Sequence, residues 1–149
     1  MGRTPGMTLI VKTVVRLIVW LIFLYGIYII LHGHLSPGGG FGGGVVLALG
    51  FLCVLLAYGR AFIAEWLPLP FLRRLDYSSL MLFLAAGLMG MAAGGAFLLN
   101  GIAKGTMFSV YSSGLIPILN ILIGIKVGLS LFFAVLALAE FDPEKGAEE

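Results

Sequence analysis

Apolar residues in this chain do not alternate with polar ones. They run almost without interruption for about twenty positions at a time, and they do so four times. The first run extends from about Ile10 to Leu31, with Lys12 and Arg16 near its start, and the second from about Gly40 to Tyr58. The third carries no charge between Tyr77 and Ala103 and predicts a helix over 78–102; the fourth covers about 115–139 and holds one charge, Lys126. A hydrocarbon layer about 30 Å thick takes roughly 20 helical residues to cross. The pattern therefore predicts an all-α integral membrane protein, with four transmembrane helices in a single membrane domain over 1–149. The first run is too long for the apolar part of a secretory signal, and no small-residue cleavage pattern follows it, so it is read as a span.

Composition agrees. Hydrophobic residues make up 60% of the chain and charged residues 11%, against about 45–50% and about 25% in soluble domains. A net charge of +2, with nine Lys and Arg spread along the chain, most of them in loops and at span edges, gives no basic stripe for nucleic acid. The distribution of those charges sets the expected orientation. Arg3, Lys12, Arg60, Arg73, Arg74 and Lys145 fall on one side of the four spans and Lys104 on the other. Because cytoplasmic loops retain positive charge, both termini are expected in the cytoplasm of a multi-pass protein of the cell membrane. The link 60–76 contains Trp66, Pro68 and Pro70 and is expected to lie at the interface as a broken segment. The tail 140–149 is acidic. Cys53, the single cysteine, sits in an apolar run and reads as a small buried hydrophobe. The absence of glutamine, with only Asn100 and Asn120 as asparagines, points weakly to a heat-adapted source.

Three features carry candidate chemistry. The turn HGHLSPGGGFGGG, from His32 to Gly44, is rich in glycine, and Pro37 stops the first helix from continuing. Gly39 and Gly43, and Gly40 and Gly44, are spaced for close helix packing; the alternative is irregular backbone lining a hydrated cavity. His32 and His34 titrate near neutral pH and are candidates for proton handling, or simply for interfacial hydrogen bonding. No Cys, Asp or Glu on their side completes a metal site, so no metal and no cofactor are expected. Lys126 is the third feature. Mid-span, a charge costs about 2.5–3.5 kcal/mol even on the lenient insertion scale. Ser130, four residues on, extends a polar stripe, while Gly124 and Gly128 favour a close contact on nearly the opposite face. All seven carboxylates, Asp76 included, map to loops, span edges or the tail. The partner of Lys126 is therefore expected from a neighbouring subunit, which argues against transport by this chain alone. Its role is read as ion-path residue, electrostatic coupling element or assembly contact. The sequence holds no P-loop, GxSxG, HExxH or CxxC motif, patterns that would each carry a catalytic mechanism. The chain is not expected to be catalytic by itself.

The residues resemble one family. GHLSPGGGFGGG, from Gly33 to Gly44, looks like the GHxxPGGGFxGG signature of the MnhB-type subunit of the Mrp multisubunit cation/proton antiporters, and SSGLIPILNILIGIKVG, from Ser112 to Gly128, resembles that family's final helix with its lysine. The resemblance covers roughly the whole chain. It maps the signature onto Gly33, His34, Pro37, Gly38, Gly39, Gly40, Phe41 and Gly43, with Lys126 from the second motif; Gly42 stands where the family usually has a larger side chain. It implies a four-helix subunit in an assembly related to the membrane arm of respiratory complex I. Relatives occur in free-standing antiporters and in archaeal membrane-bound hydrogenases and sulfur-reducing complexes. The partners so implied are other membrane subunits and the lipid bilayer, with Na+ and H+ as transported ions. The expected function is to help form or stabilise a Na+/H+ path, with Lys126, His34, His32 and Ser130 as ion-path candidates. The alternatives are a purely structural subunit and an independent small transporter.

The expected orientation has a direct test. A Ser36→Cys variant in a Cys53→Ala background should react with a membrane-impermeant maleimide from the non-cytoplasmic side. Reaction only from the cytoplasmic side reverses the topology.

Overall fold

The computed structural model describes residues 7–35, 37–92, 94–98 and 114–139, and among them every regular element is a helix. These are α1 (Leu9–Leu31), α2 (Gly39–Tyr58), α3 (Arg60–Trp66), α4 (Leu69–Ala92) and α5 (Ile116–Leu138). The four long helices are long and apolar enough to cross a membrane. At about 1.5 Å per residue each reaches roughly 30 Å or more, the thickness of the hydrocarbon layer. Their prolines stand only at the starts: Pro70 is the second residue of α4, and Pro117 the second of α5. An N–H is unsatisfied there in any case, so its loss costs nothing.

The third span differs from its expected position at both ends. Pro68 disfavours helical backbone in the residue before it; Leu67 is accordingly extended (φ −104°, ψ 128°) and ends α3. The chain re-enters a helix at once, at Leu69. The expected interfacial link 60–76 is thus a seven-residue helix and a short break, followed by the first two turns of α4. At the far end α4 stops at Ala92, well short of residue 102, and Gly94 turns the chain with φ +80°. The Gly95 N–H donates back to the Gly90 carbonyl, and Phe97 folds over Gly87, where a methyl group would collide with its ring. The rest of the expected third span, and the acidic tail, lie outside the described residues.

Helix α2 is the centre of the bundle, packed against α1 on one side and α5 on the other, while α4 reaches the bundle chiefly through α5. Two glycine faces make this possible. A methyl group at Gly44 would come within 2.7 Å of the Gly124 carbonyl oxygen, and one at Gly40 would strike the Asn120 backbone. On the other face, one at Gly43 would come within 2.8 Å of the Gly26 carbonyl oxygen. Contacts that rise together in number, Gly40 with Asn120 and Gly44 with Gly124, show that α2 and α5 run parallel. Met7 N–H donates to Ala57 O at 3.0 Å, joining the start of α1 to the end of α2 as an antiparallel hairpin. At that end Leu55, Ile63, Phe132 and Leu136 form the buried apolar cluster that ties α3 to α2 and α5.

The same geometry ranks the glycines. Gly40→Leu should lower thermal stability in detergent strongly, since overpacking costs about 1–3 kcal/mol and more where backbone must move. Gly42 has nothing within 4 Å of an added methyl group, so Gly42→Ala should hold or raise the melting temperature by its better helix propensity. Equal losses for the two would remove the close-contact account.

Candidate functional site

The charged centre of the bundle lies between α4 and α5. Lys126 Nζ donates to both carboxylate oxygens of Asp76, at 2.9 Å each, and the Ser130 hydroxyl donates to Oδ1, also at 2.9 Å. Asp76 is only 7% exposed, and the lysine side chain remains 31% accessible. The expectation that Lys126 must find its counter-charge on another subunit is therefore corrected: the partner is in the same chain. The reason is the early start of α4. With the helix beginning at Leu69, Asp76 stands two turns inside it, roughly 10 Å along the axis, rather than in an interfacial link. A charge pair in this setting is tolerated because the carboxylate is bound by three hydrogen bonds; either charge alone in the bilayer would be expensive.

Sequence reasoning missed Asp76, although a signal was present. Leu72, Asp76, Ser79, Gly87 and Gly90 are the buried residues of α4, and their spacing follows one face of a helix. A carboxylate in register with that face is more telling than its distance from the uncharged run. The Ser79 hydroxyl donates to the Asp76 carbonyl at 2.8 Å, which keeps it inside its own helix. Towards the Gly-turn end, a cavity of about 160 Å³ adjoins Lys126, lined by Ser79, Leu80, Phe83, Leu122 and Ile123. Arg73, one turn before Asp76, lies over the Phe133 ring at 5.5 Å.

The other candidates gather elsewhere. The turn after α1 packs on α5 at Asn120: a methyl group at Gly33 would come within 3.0 Å of Asn120 Nδ2. That places the histidine turn six residues up α5 from Lys126, roughly 9 Å of helix rise. Lys126 and Ser130 are thus brought together on Asp76, and His32 and His34 are not. His32 stacks on the Tyr28 ring at 4.3 Å and its Nδ1 lies 3.2 Å from the Tyr28 carbonyl oxygen. His34 is half-buried in the turn. In the signature itself, Pro37 and Phe41 are exposed, Gly38 (φ +130°) and Gly39 (φ +57°) make the turn into α2, and Gly40 and Gly43 take up the two helix contacts. Gly42 faces open space, so the larger side chain of the resembled signature fits there without displacing anything.

Comparison with known proteins matches the chain and its fold to one family. Residues 10–133 match the family model described as a domain related to the MnhB subunit of Na+/H+ antiporter. An uncharacterized protein of Methanocaldococcus jannaschii is 38% identical over 113 residues, covering 70% of this chain and 43% of its own length. A Staphylococcus saprophyticus protein named as a putative antiporter subunit, mnhB2, is 39% identical over 77 residues, 52% of this chain and 55% of its own. The chain thus spans about half the length of these curated relatives. Among solved structures, a chain of the archaeal membrane-bound sulfane sulfur reductase, a respiratory membrane complex, superposes with a TM-score of 0.74 at 34% identity, over 89% of this chain and 60% of that one. With four membrane-crossing helices and a family match over most of its length, the protein is a multi-pass membrane protein that belongs to the MnhB-related domain family.

Proposed function

We propose that this chain is a non-catalytic subunit of an Mrp-type cation/proton antiporter module, in which the Asp76–Lys126 pair acts as a charge element of the Na+/H+ path. The observation that carries the proposal is the ion pair itself. A buried ion pair is poor evidence of stability, since an apolar pair of the same volume often serves as well, whereas ionisable groups inside a span commonly mark ion pathways. Lys126 keeps partial accessibility while Asp76 is enclosed. The movable partner is therefore the lysine, on a flexible stem. A cation entering beside Asp76 would compete with the ammonium for the carboxylate and repel it, and its departure would let the pair close again; Ser130 holds the carboxylate in place throughout. The likeness to a chain of a respiratory membrane complex supports a place beside other membrane subunits, in an antiporter or in a hydrogenase or sulfur reductase with a similar module. The basic-residue distribution supports both termini in the cytoplasm.

A second reading, a purely structural subunit, draws on a different observation: both Asp76 oxygens are already taken by donors of the same chain, and the cavity beside them is lined mostly by apolar residues. Substitution in the assembled complex separates the two. Lys126→Ala and Asp76→Asn should each abolish most sodium-dependent proton transport in vesicles, with Lys126→Arg intermediate. Each loss of one partner should also cost about 3–5 kcal/mol of stability. The exchanged pair, Asp76→Lys with Lys126→Asp, should recover assembly on a native gel without recovering transport. Normal transport by an assembled Lys126→Ala complex leaves the pair a structural role.

A further inference from the structure

Away from the α4–α5 ion pair, α1, α2 and α3 line a groove of about 450 Å³, within the range of about 300–1,000 Å³ typical of small-molecule sites. Its walls change character along their length. Val19, Phe23, Phe51 and Val54 line the deep part, where the Phe23 and Phe51 rings meet at 5.0 Å between centroids. At the α3 end the lining becomes amphipathic: Arg16, Tyr58, Phe62 and Trp66. There Tyr58, Phe62 and Trp66 stack in succession, at 4.7 and 5.7 Å, as a continuous aromatic wall. Trp66 in α3 stands 69% exposed, and tryptophans concentrate at headgroup depth; Trp20, equally exposed, is the twelfth of the 23 residues of α1 and marks the deeper part of the groove.

Arg16 makes the groove more than a gap. It is the eighth residue of α1, so its Cα lies roughly 10 Å along the helix from its start. Of the two carboxylates among the described residues, Asp76 is held by Lys126 on the far side of the bundle, and Glu65 does not line the groove. One turn earlier Lys12 lies 5.8 Å from the Tyr58 ring centroid and adds a second positive charge beside the mouth. An exposed guanidinium on the wall of such a groove attracts an anion, and its planar fork matches phosphate. The groove continues from that cation into a purely apolar channel. A free phosphate satisfies the first part only.

We propose that this groove is a binding site for an anionic phospholipid, with the headgroup phosphate on Arg16 and an acyl chain along Phe23, Phe51 and Val54. Basic pockets between membrane helices recognise lipid headgroups in this way. The two tryptophans of the chain, Trp20 and Trp66, both line the groove, so intrinsic fluorescence reports its occupancy. The full chain, reconstituted in vesicles, is titrated with acyl-brominated phosphatidylglycerol or with acyl-brominated phosphatidylcholine. Both lipids carry the phosphate, but only phosphatidylcholine offsets it with a cation of its own. The anionic lipid should therefore quench with about fivefold higher apparent affinity, the contribution of one basic residue against a net negative headgroup. Arg16→Gln should bring the two lipids to parity, Arg16→Lys should keep the preference, and Arg74→Gln, at the same end of the bundle on α4, should leave it unchanged. Inorganic phosphate added with the zwitterionic lipid should change nothing. Equal quenching by the two lipids in the unaltered protein, a preference that survives Arg16→Gln, or one lost equally in Arg74→Gln overturns the site.

Discussion

Helices in lipid gain nothing from hiding apolar surface from one another, because the acyl chains are as apolar as leucine. What holds them together is close backbone approach and polar contact. The structure depends on the first of these at α2. Its Gly40–Gly44 face takes α5 and its Gly43 face takes α1, at distances that leave no room for a Cβ. These contacts fix α5 in depth and rotation. They turn the glycine face, Gly124 and Gly128, towards α2, and leave the face bearing Lys126 and Ser130 for α4.

Helix α4 is held by the second kind of contact. Its packing with the bundle runs chiefly through α5, and within that contact the Asp76 carboxylate is bound by Lys126 and Ser130. The pair is an alignment device as much as a charge site, since a shift of one helical turn would leave two opposite charges in the bilayer without partners. The small residues of α4, Gly87 and Gly90, are buried, and Phe97 closes over Gly87 as the chain turns back. The same three side chains that form the charged centre therefore also set the register of α4 on α5.

The bundle also separates its polar features. The ion pair occupies the α4–α5 side, the histidine turn packs at Asn120, and the groove bearing Arg16 lies between α1, α2 and α3. The ion pair and the groove draw on different helices, whereas the histidine turn shares Asn120 with the Gly40 contact between α2 and α5.

Four spans, the glycine turn and the mid-span position of Lys126 were legible in the sequence because each is a local quantity: an apolar run, a backbone-permissive cluster, a charge far from either end of its helix. Gly124 and Gly128 could be assigned to the face opposite the lysine for the same reason, since helical period alone places them there. The counter-charge was not legible. Reading spans as uncharged windows put Asp76 at an edge, and only the break at Leu67 and restart at Leu69 carried it two turns into α4, facing α5. His32 and His34, ion-path candidates by their chemistry, stay with the turn, because Gly33 packs at Asn120 rather than at Lys126. Sequence determined which segments lie in lipid and which residues are costly there. Tertiary structure decided which of those residues meet, because helix register between segments fifty residues apart is set by packing that no local pattern encodes.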